Sequence, residues 1–187
     1  MRLYALCDQD LLDKREITLE DYIRIAIEQK AEIIQYRNKN ANKQFIKEQL
    51  IKIRNIYDGF LIVNDAYELV EFCDGVHVGQ EDLKTIDNDP IRAVKTLREI
   101  IKKDKILGIS THNKAEVLQA NEMELNYIGL GAYRNTNTKN DISTILGEEL
   151  DEIALLSRHF VAAIGGIQKS DKFSNVTYHV IGSGLLS

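Results

Sequence analysis

Short apolar runs along this chain alternate with longer stretches in which apolar residues return every three or four positions. The short runs lie at 3–7, 33–36, 60–63, 75–78, 106–109, 127–130, 160–164 and 178–181. They are rich in β-branched and aromatic residues, and most are nearly continuous in apolar character. Such runs predict strands buried on both faces, as in parallel sheets. Between them, 19–29 sets Leu19, Tyr22, Ile23, Ile25, Ala26 and Ile27 around a broad apolar face. The stretch 45–56 repeats the pattern with Phe45, Ile46, Leu50, Ile53 and Ile56. Both predict amphipathic helices, and further helices are expected at 67–72, 91–101, 114–121 and 148–156. Thr18 with Asp21, Asp89 and Asn113 are candidate N-caps.

Strand candidates alternating with helices predict an α/β chain, either a closed parallel (β/α)₈ TIM barrel or an open doubly wound sheet. The strand count favours the barrel. At 187 residues the chain reads as a single domain, 1–187, and is short for a barrel, whose usual lower limit is about 200 residues. The shortfall falls at the end: 167–178 has room only for a turn or short helix, and the chain stops just after the last run. The last one or two outer helices are therefore expected to be short or missing. An apolar strip left uncovered there is a hint of a homodimer.

Composition adds exclusions. With 44% hydrophobic and 28% charged residues the chain is ordinary for a globular protein, and a net charge of −5 speaks against nucleic acid as a partner. Lys102, Lys103 and Lys105, interrupted by Asp104, read as a solvated helix end. No apolar run approaches the roughly 18 residues of a membrane span. The N-terminus lacks a signal-peptide layout, so the expected setting is cytoplasmic, with no membrane partner. Cys7 and Cys73 have no metal or redox spacing and are expected to be small buried hydrophobes.

The polar residues fall where a barrel of this class builds its site, at the C-terminal ends of the strands. Arg37 and Lys39, two apart, offer a cationic clamp for a pyrophosphate, the Arg fork giving bidentate contacts; read alone they are also ordinary surface cations. Asp65 and Asp82 end neighbouring strands and are candidate Mg²⁺ ligands, or simple loop caps. Gly165, Gly166, Gly182 and Ser183 follow the last two runs, where backbone N–H groups can approach a phosphate. Gln35, Asn64, Ser110, His112, Thr136, Thr138 and Lys139 complete the collection. His77 and His112 are equally open to structural hydrogen bonding and to chemistry.

The ordered segments Gln35-Tyr36-Arg37-Asn38-Lys39, Val63-Asn64-Asp65, Asp74-Gly75-Val76-His77-Val78-Gly79-Gln80-Glu81-Asp82, Gly108-Ile109-Ser110-Thr111-His112, Thr136-Asn137-Thr138-Lys139 and Ala163-Ile164-Gly165-Gly166-Ile167 resemble the thiamine phosphate synthase family. The segment from Asp74 to Asp82 is the most specific. The resemblance implies a Mg²⁺-dependent transferase that joins hydroxymethylpyrimidine pyrophosphate to hydroxyethylthiazole phosphate and releases pyrophosphate by dissociative substitution. It implies that Arg37, Lys39 and Lys139, with Asn64, serve the pyrophosphate, that Asp65 and Asp82 bind Mg²⁺, and that Ser110 lies near the reacting groups. Gln35 and His112 fall among the substrate-binding residues. Thr136, Thr138, Gly165 and Gly166, with Gly182 and Ser183 of the last loop, are expected on the thiazole phosphate.

The chain departs from the family pattern in places. Asn40 stands where the family shows Gly, and Ala132-Tyr133-Arg134-Asn135 replaces a proline-bearing segment. The glycine-rich approach to the last strand and the final helix are absent. Arg134 is read as a solvated loop residue, with replacement of a lost phosphate contact as the alternative. Two other readings stay open: a thiazole tautomerase, with His112 as acid/base and no metal, and a non-catalytic phosphate-ester binder. Tautomerases tend to lose the lysine and the metal aspartates, whereas Lys39, Asp65, Asp82 and Lys139 are all kept.

Overall fold

Eight parallel strands pair in chain order and close on themselves, β8 pairing back to β1. They are β1 (Arg2–Asp8), β2 (Ile33–Arg37), β3 (Phe60–Asn64), β4 (Gly75–Val78), β5 (Ile106–Thr111), β6 (Tyr127–Leu130), β7 (Phe160–Ala163) and β8 (Tyr178–Ile181). The structure, a computed structural model, describes residues 1–135 and 144–186. Thr136, Thr138 and Lys139 lie outside the described residues.

The continuous apolar runs follow from burial on both faces of the closed sheet. Along β1, Leu3, Ala5 and Cys7 pack outward under the helices, while Tyr4 and Leu6 point into the barrel. Ile33, Ile62, Tyr127, Ala162, Tyr178 and Val180 fill the interior with them. A fully buried aliphatic side chain contributes about 1.5–3 kcal/mol, so these two layers dominate the stability of the fold. Both cysteines are free and buried, as expected.

The outer layer holds α1 (Gln9–Lys14), α2 (Leu19–Glu28), α3 (Lys43–Arg54), α4 (Gln80–Ile86), α5 (Pro90–Ile101), α6 (Lys114–Ala120) and α7 (Glu149–Ala154). The expected caps form. Asp21 N–H donates to Thr18 Oγ1 at 3.1 Å, Ile91 N–H to Asp89 Oδ1 at 2.9 Å and Glu116 N–H to Asn113 Oδ1 at 2.9 Å. Each satisfies an otherwise orphaned helix donor, for about 1 kcal/mol. Tyr67–Phe72 is a 3₁₀ rather than an α-helix. Two helices were not anticipated: α1 and α4 each bury one residue, Leu12 and Leu83, so neither carries an apolar period.

The final sector is thin, as the short chain predicted. No helix connects β7 to β8, and a 3₁₀ turn (Ser183–Leu186) follows β8. The outward faces of these strands are nevertheless covered. Phe173, from the β7–β8 loop, sits edge-on between Tyr133 (5.1 Å) and His179 (5.2 Å), and Val176 packs on the same core. Ser174 and Asn175 N–H groups donate to Asp151 of α7, tethering the loop. Apolar side chains left exposed include Leu155 after α7 and Phe160 at the start of β7. Among the described residues, no helix is long and apolar enough to cross a membrane.

Candidate active site

The strand register sets the first half of the site. Asp8 and Arg37 are paired positions at the C-terminal ends of β1 and β2, and their side chains form a buried ion pair. Asp8 also accepts from Leu11 N–H at 3.2 Å, which caps α1. One carboxylate thus anchors both a helix start and the guanidinium, whose other N–H groups remain for a substrate anion. Gln35 lies deeper on β2 and is buried. Lys39 stands exposed beyond the strand. The turn carrying it is shaped by Asn38 Oδ1, which accepts from Asn40 and Ala41 N–H groups at 3.1 and 3.0 Å.

Asn64 ends β3 and donates to the Asp65 carboxylate. Asp65 has φ 59°, a left-handed conformation that Asp tolerates better than most residues. Its N–H donates to His77 O at 2.8 Å, and Gly79 N–H donates to its Oδ1 at 3.0 Å. A β-carbon placed on Gly79 would lie 3.1 Å from Asp82 Oδ2 and 3.8 Å from Asp65 Oδ1, so both carboxylates face one small space. Burial pushes the Asp65 carboxyl above the ordinary range, and nearby Asp82 adds to the push; the Gly79 amide and Lys39 oppose it. A cation between the carboxylates would relieve that repulsion.

The donor set suits a hard cation. Mg²⁺ commonly takes one or two carboxylates and completes its shell with waters and phosphate oxygens. Among the described residues no cluster of three His, Cys, Asp or Glu side chains forms a protein-only cage. Two carboxylates facing one space are a donor set of the kind Mg²⁺ takes.

Ser110 and His112 extend this face along β5 and just past it. Gln80 Nε2 donates to Ser110 O at 2.6 Å, tying α4 to the strand end. His112 is turned toward α6: its N–H donates to Glu116 Oε2 at 2.8 Å, and its Nδ1 lies 3.0 Å from the same oxygen.

The other half of the mouth is built differently. Gly165 (φ 88°) and Gly166 (φ 66°) follow β7 in conformations that disfavour a side chain. Tyr133 and Arg134 N–H groups donate to Ile164 O and Gly165 O, each at 2.9 Å. Arg134 is exposed on its loop, as expected, but is also paired. It donates to Gly166 O at 3.0 Å and to both Asp171 oxygens at 2.7 Å, closing the β7–β8 loop over the glycines. Gly182 and Ser183 sit half-buried after β8. A surface hollow of about 370 Å³ lies at the opposite end of the barrel, lined by Arg54, Cys73, Asp74 and Lys105 among others. Arg54 pairs with Asp74, and Lys105 Nζ donates to Cys73 O at 2.6 Å, so its polar groups serve one another.

A family model described as thiamine monophosphate synthase matches residues 3–178. The chain belongs to that family. Within the thiamine monophosphate synthase family, it is 35% identical over 176 residues to the thiamine-phosphate synthase of Persephonella marina, covering 91% of this chain and 79% of that protein. It is 32% identical over 191 residues to the enzyme of that name from Clostridium acetobutylicum, covering 100% and 85%. Thiamine phosphate pyrophosphorylase from Pyrococcus furiosus superposes with a TM-score of 0.74 at 26% identity, over 97% of this chain and 85% of that one. The tryptophan synthase α-subunit of the same hyperthermophile, at 12% identity and a TM-score of 0.66, shares the fold alone.

For this family member, the sequence pattern gave no sign of two interior tyrosines, Tyr4 and Tyr127, that join residues it did single out. Tyr4, His77 and Tyr127 are buried and hydrogen-bonded into one cluster with Gln35 and Ser110. A tyrosine inside an apolar run counts as hydrophobic, so the pattern carries no sign of its hydroxyl. The available signal was strand parity: Gln35, His77 and Ser110 all fall on inward positions.

Proposed function

We propose that this chain is a thiamine phosphate synthase, a transferase that moves a pyrimidine methyl group from pyrophosphate to the nitrogen of a thiazole phosphate. One observation carries the reading: Lys39, Asp65 and Asp82 lie near one another just past β2 to β4, with Arg37 held at the end of β2, a set that suits a pyrophosphate bound with a cation. Asp65 and Asp82 would hold Mg²⁺, which when bound offsets charge on the pyrophosphate oxygens. Arg37, fixed by Asp8, presents its remaining N–H groups to the same oxygens, joined by Lys39, Lys139 and the Asn64 amide. These donors stabilise the negative charge that grows as the C–O bond to the pyrophosphate breaks. The electron-rich pyrimidine carries the resulting positive charge, and the thiazole nitrogen attacks it, so no strong base is needed. Gln35, Ser110 and His112 orient the pyrimidine side. Gly165, Gly166, Gly182 and Ser183, with Thr136 and Thr138, receive the thiazole phosphate through backbone N–H groups and hydroxyls.

The reading places the enzyme in the cytoplasm, as a single barrel domain working on two small phosphorylated molecules. It includes a homodimer, for which exposed Leu155 and Phe160 offer apolar surface. The tautomerase reading has one observation in its favour, the Glu116 carboxylate that orients His112. The test is thiamine phosphate formation from the two precursors with Mg²⁺ and with a chelator. Mg²⁺-dependent product supports the synthase; isomerised thiazole without metal supports the tautomerase.

A further inference from the structure

A chain of polar side chains crosses the barrel interior, and the functional reading uses only its two ends. Gln35 Nε2 donates to the Tyr4 hydroxyl at 2.5 Å. The Tyr4 and Tyr127 hydroxyls are 2.8 Å apart. The Tyr127 hydroxyl lies 3.0 Å from His77 Nδ1, and His77 Nε2 lies 3.0 Å from Ser110 Oγ. Gln35, Tyr4, Tyr127 and His77 are all buried, while Ser110 is half-buried at the mouth. Space is set aside for the rings. Tyr127 stacks on His77 with centroids 5.5 Å apart, and its ring lies over Gly108, its partner position on β5, where a β-carbon would collide with Cζ. A β-carbon on Gly129 would sit 3.0 Å from His77 Cε1.

Proton counting gives the chain a direction. A tyrosine hydroxyl has one proton to donate. Burial raises both Tyr4 and Tyr127 above the ordinary tyrosine range, so both stay neutral. With Gln35 donating to Tyr4, the Tyr4 proton is directed to Tyr127, and the Tyr127 proton to His77 Nδ1. A His77 ring that carries one proton then holds it on Nε2 and donates it to Ser110 Oγ. The Ser110 proton is left to point out of the chain. Were Gln35 to present its oxygen instead, every link would reverse, and Ser110 would spend its proton on His77.

We infer that these five side chains form a one-way donor chain that fixes His77 as the Nε2–H tautomer and commits the Ser110 hydroxyl proton to the substrate. Tyr127 and His77 are positioning residues that act through Ser110. The substrate end rests on the synthase reading; the direction of the chain does not. A preset donor needs no reorientation as charge develops in the reaction, which is where such a group contributes most.

The test uses the whole protein labelled with ¹⁵N-histidine, in which long-range proton–nitrogen correlation separates protonated from unprotonated ring nitrogens. His77 is assigned among the 4 histidines by its absence from His77→Gln. Wild type is expected to show a protonated Nε2 and an unprotonated Nδ1. Gln35→Glu, whose carboxylate accepts from Tyr4, is expected to reverse the pair to Nδ1–H. Tyr127→Phe removes one link, and kcat is expected to fall roughly tenfold with both KM values within about twofold. Tyr4→Phe, which breaks the chain one link earlier, serves should Tyr127→Phe not fold. An Nδ1–H tautomer in wild type, or unchanged kcat in the broken chain, would overturn the inference. Absence of thiamine phosphate synthesis in wild type would instead strike the functional reading, with the tautomer measurement still deciding the direction of the chain.

Discussion

The two halves of the barrel mouth are built by different means. Around β1 to β4, Arg37 and Asp65 stand at or just past strand ends and are fixed by neighbours: Arg37 by Asp8, Asp65 by the Gly79 amide and the Asn64 side chain. Around β6 to β8 the described glycines lie on a loop that contains no helix, held to α7 by Asp151 and closed over the glycines by the Arg134–Asp171 pair. The first half has its geometry built into the sheet. The second depends on a latch.

That contrast can be broken most sharply on the rigid side. Asp65→Ala and Asp82→Ala are each expected to lower Mg²⁺-dependent kcat/KM by about 10³-fold or more, the scale at which a preorganised charge-stabilising group acts. Steady-state assays across Mg²⁺ concentrations check this; full activity with unchanged metal dependence would remove the pair from the site. Asp8→Ala strands the buried Arg37 charge, and a stability loss of about 3–5 kcal/mol is expected from chemical denaturation.

The latch should yield more gently and on one substrate only. Arg134→Ala is expected to raise KM for the thiazole phosphate about five- to tenfold while leaving KM for the pyrimidine pyrophosphate within about twofold. An equal rise in both would erase the division between the halves. The smallest effect concerns pH. The Arg134 hydrogen bond holds the Asp171 carboxyl below its ordinary value. Its stabilisation is thus complete above the unfolded carboxylate pKa and is lost only as pH falls through the depressed folded value. Melting temperatures of wild type and Asp171→Asn should differ by the same amount at pH 7 and at about pH 5, and converge only in stronger acid.

The sequence made the same division visible, unevenly. All eight strands were legible because burial on both faces leaves continuous apolar runs, and the three caps were legible because Thr18, Asp89 and Asn113 precede apolar-periodic segments. Helices α1 and α4 were not, since one buried side chain each leaves no period to read. Arg37 and Asp65 were legible at or just past strand ends, and Lys39 in the turn after β2; Asp82, expected to end a strand, lies instead in the first turn of α4, the helix whose pattern gave no sign. The pairing of Arg134 was not legible: its partner Asp171 lies 37 positions on, in a loop whose path no local pattern records. The interior chain was hidden for a related reason, as Tyr4 and Tyr127 are 123 residues apart and each reads as part of an apolar strand.

The central claim, that β2 to β4 hold pyrophosphate together with a cation while β6 to β8 do not, is tested most directly by titrating the protein calorimetrically with inorganic pyrophosphate, with and without Mg²⁺. Binding is predicted to require Mg²⁺, to disappear in Asp65→Ala/Asp82→Ala, and to persist in Arg134→Ala. Binding that ignores Mg²⁺ and survives loss of both aspartates, or that fails when Arg134 is removed, would contradict it.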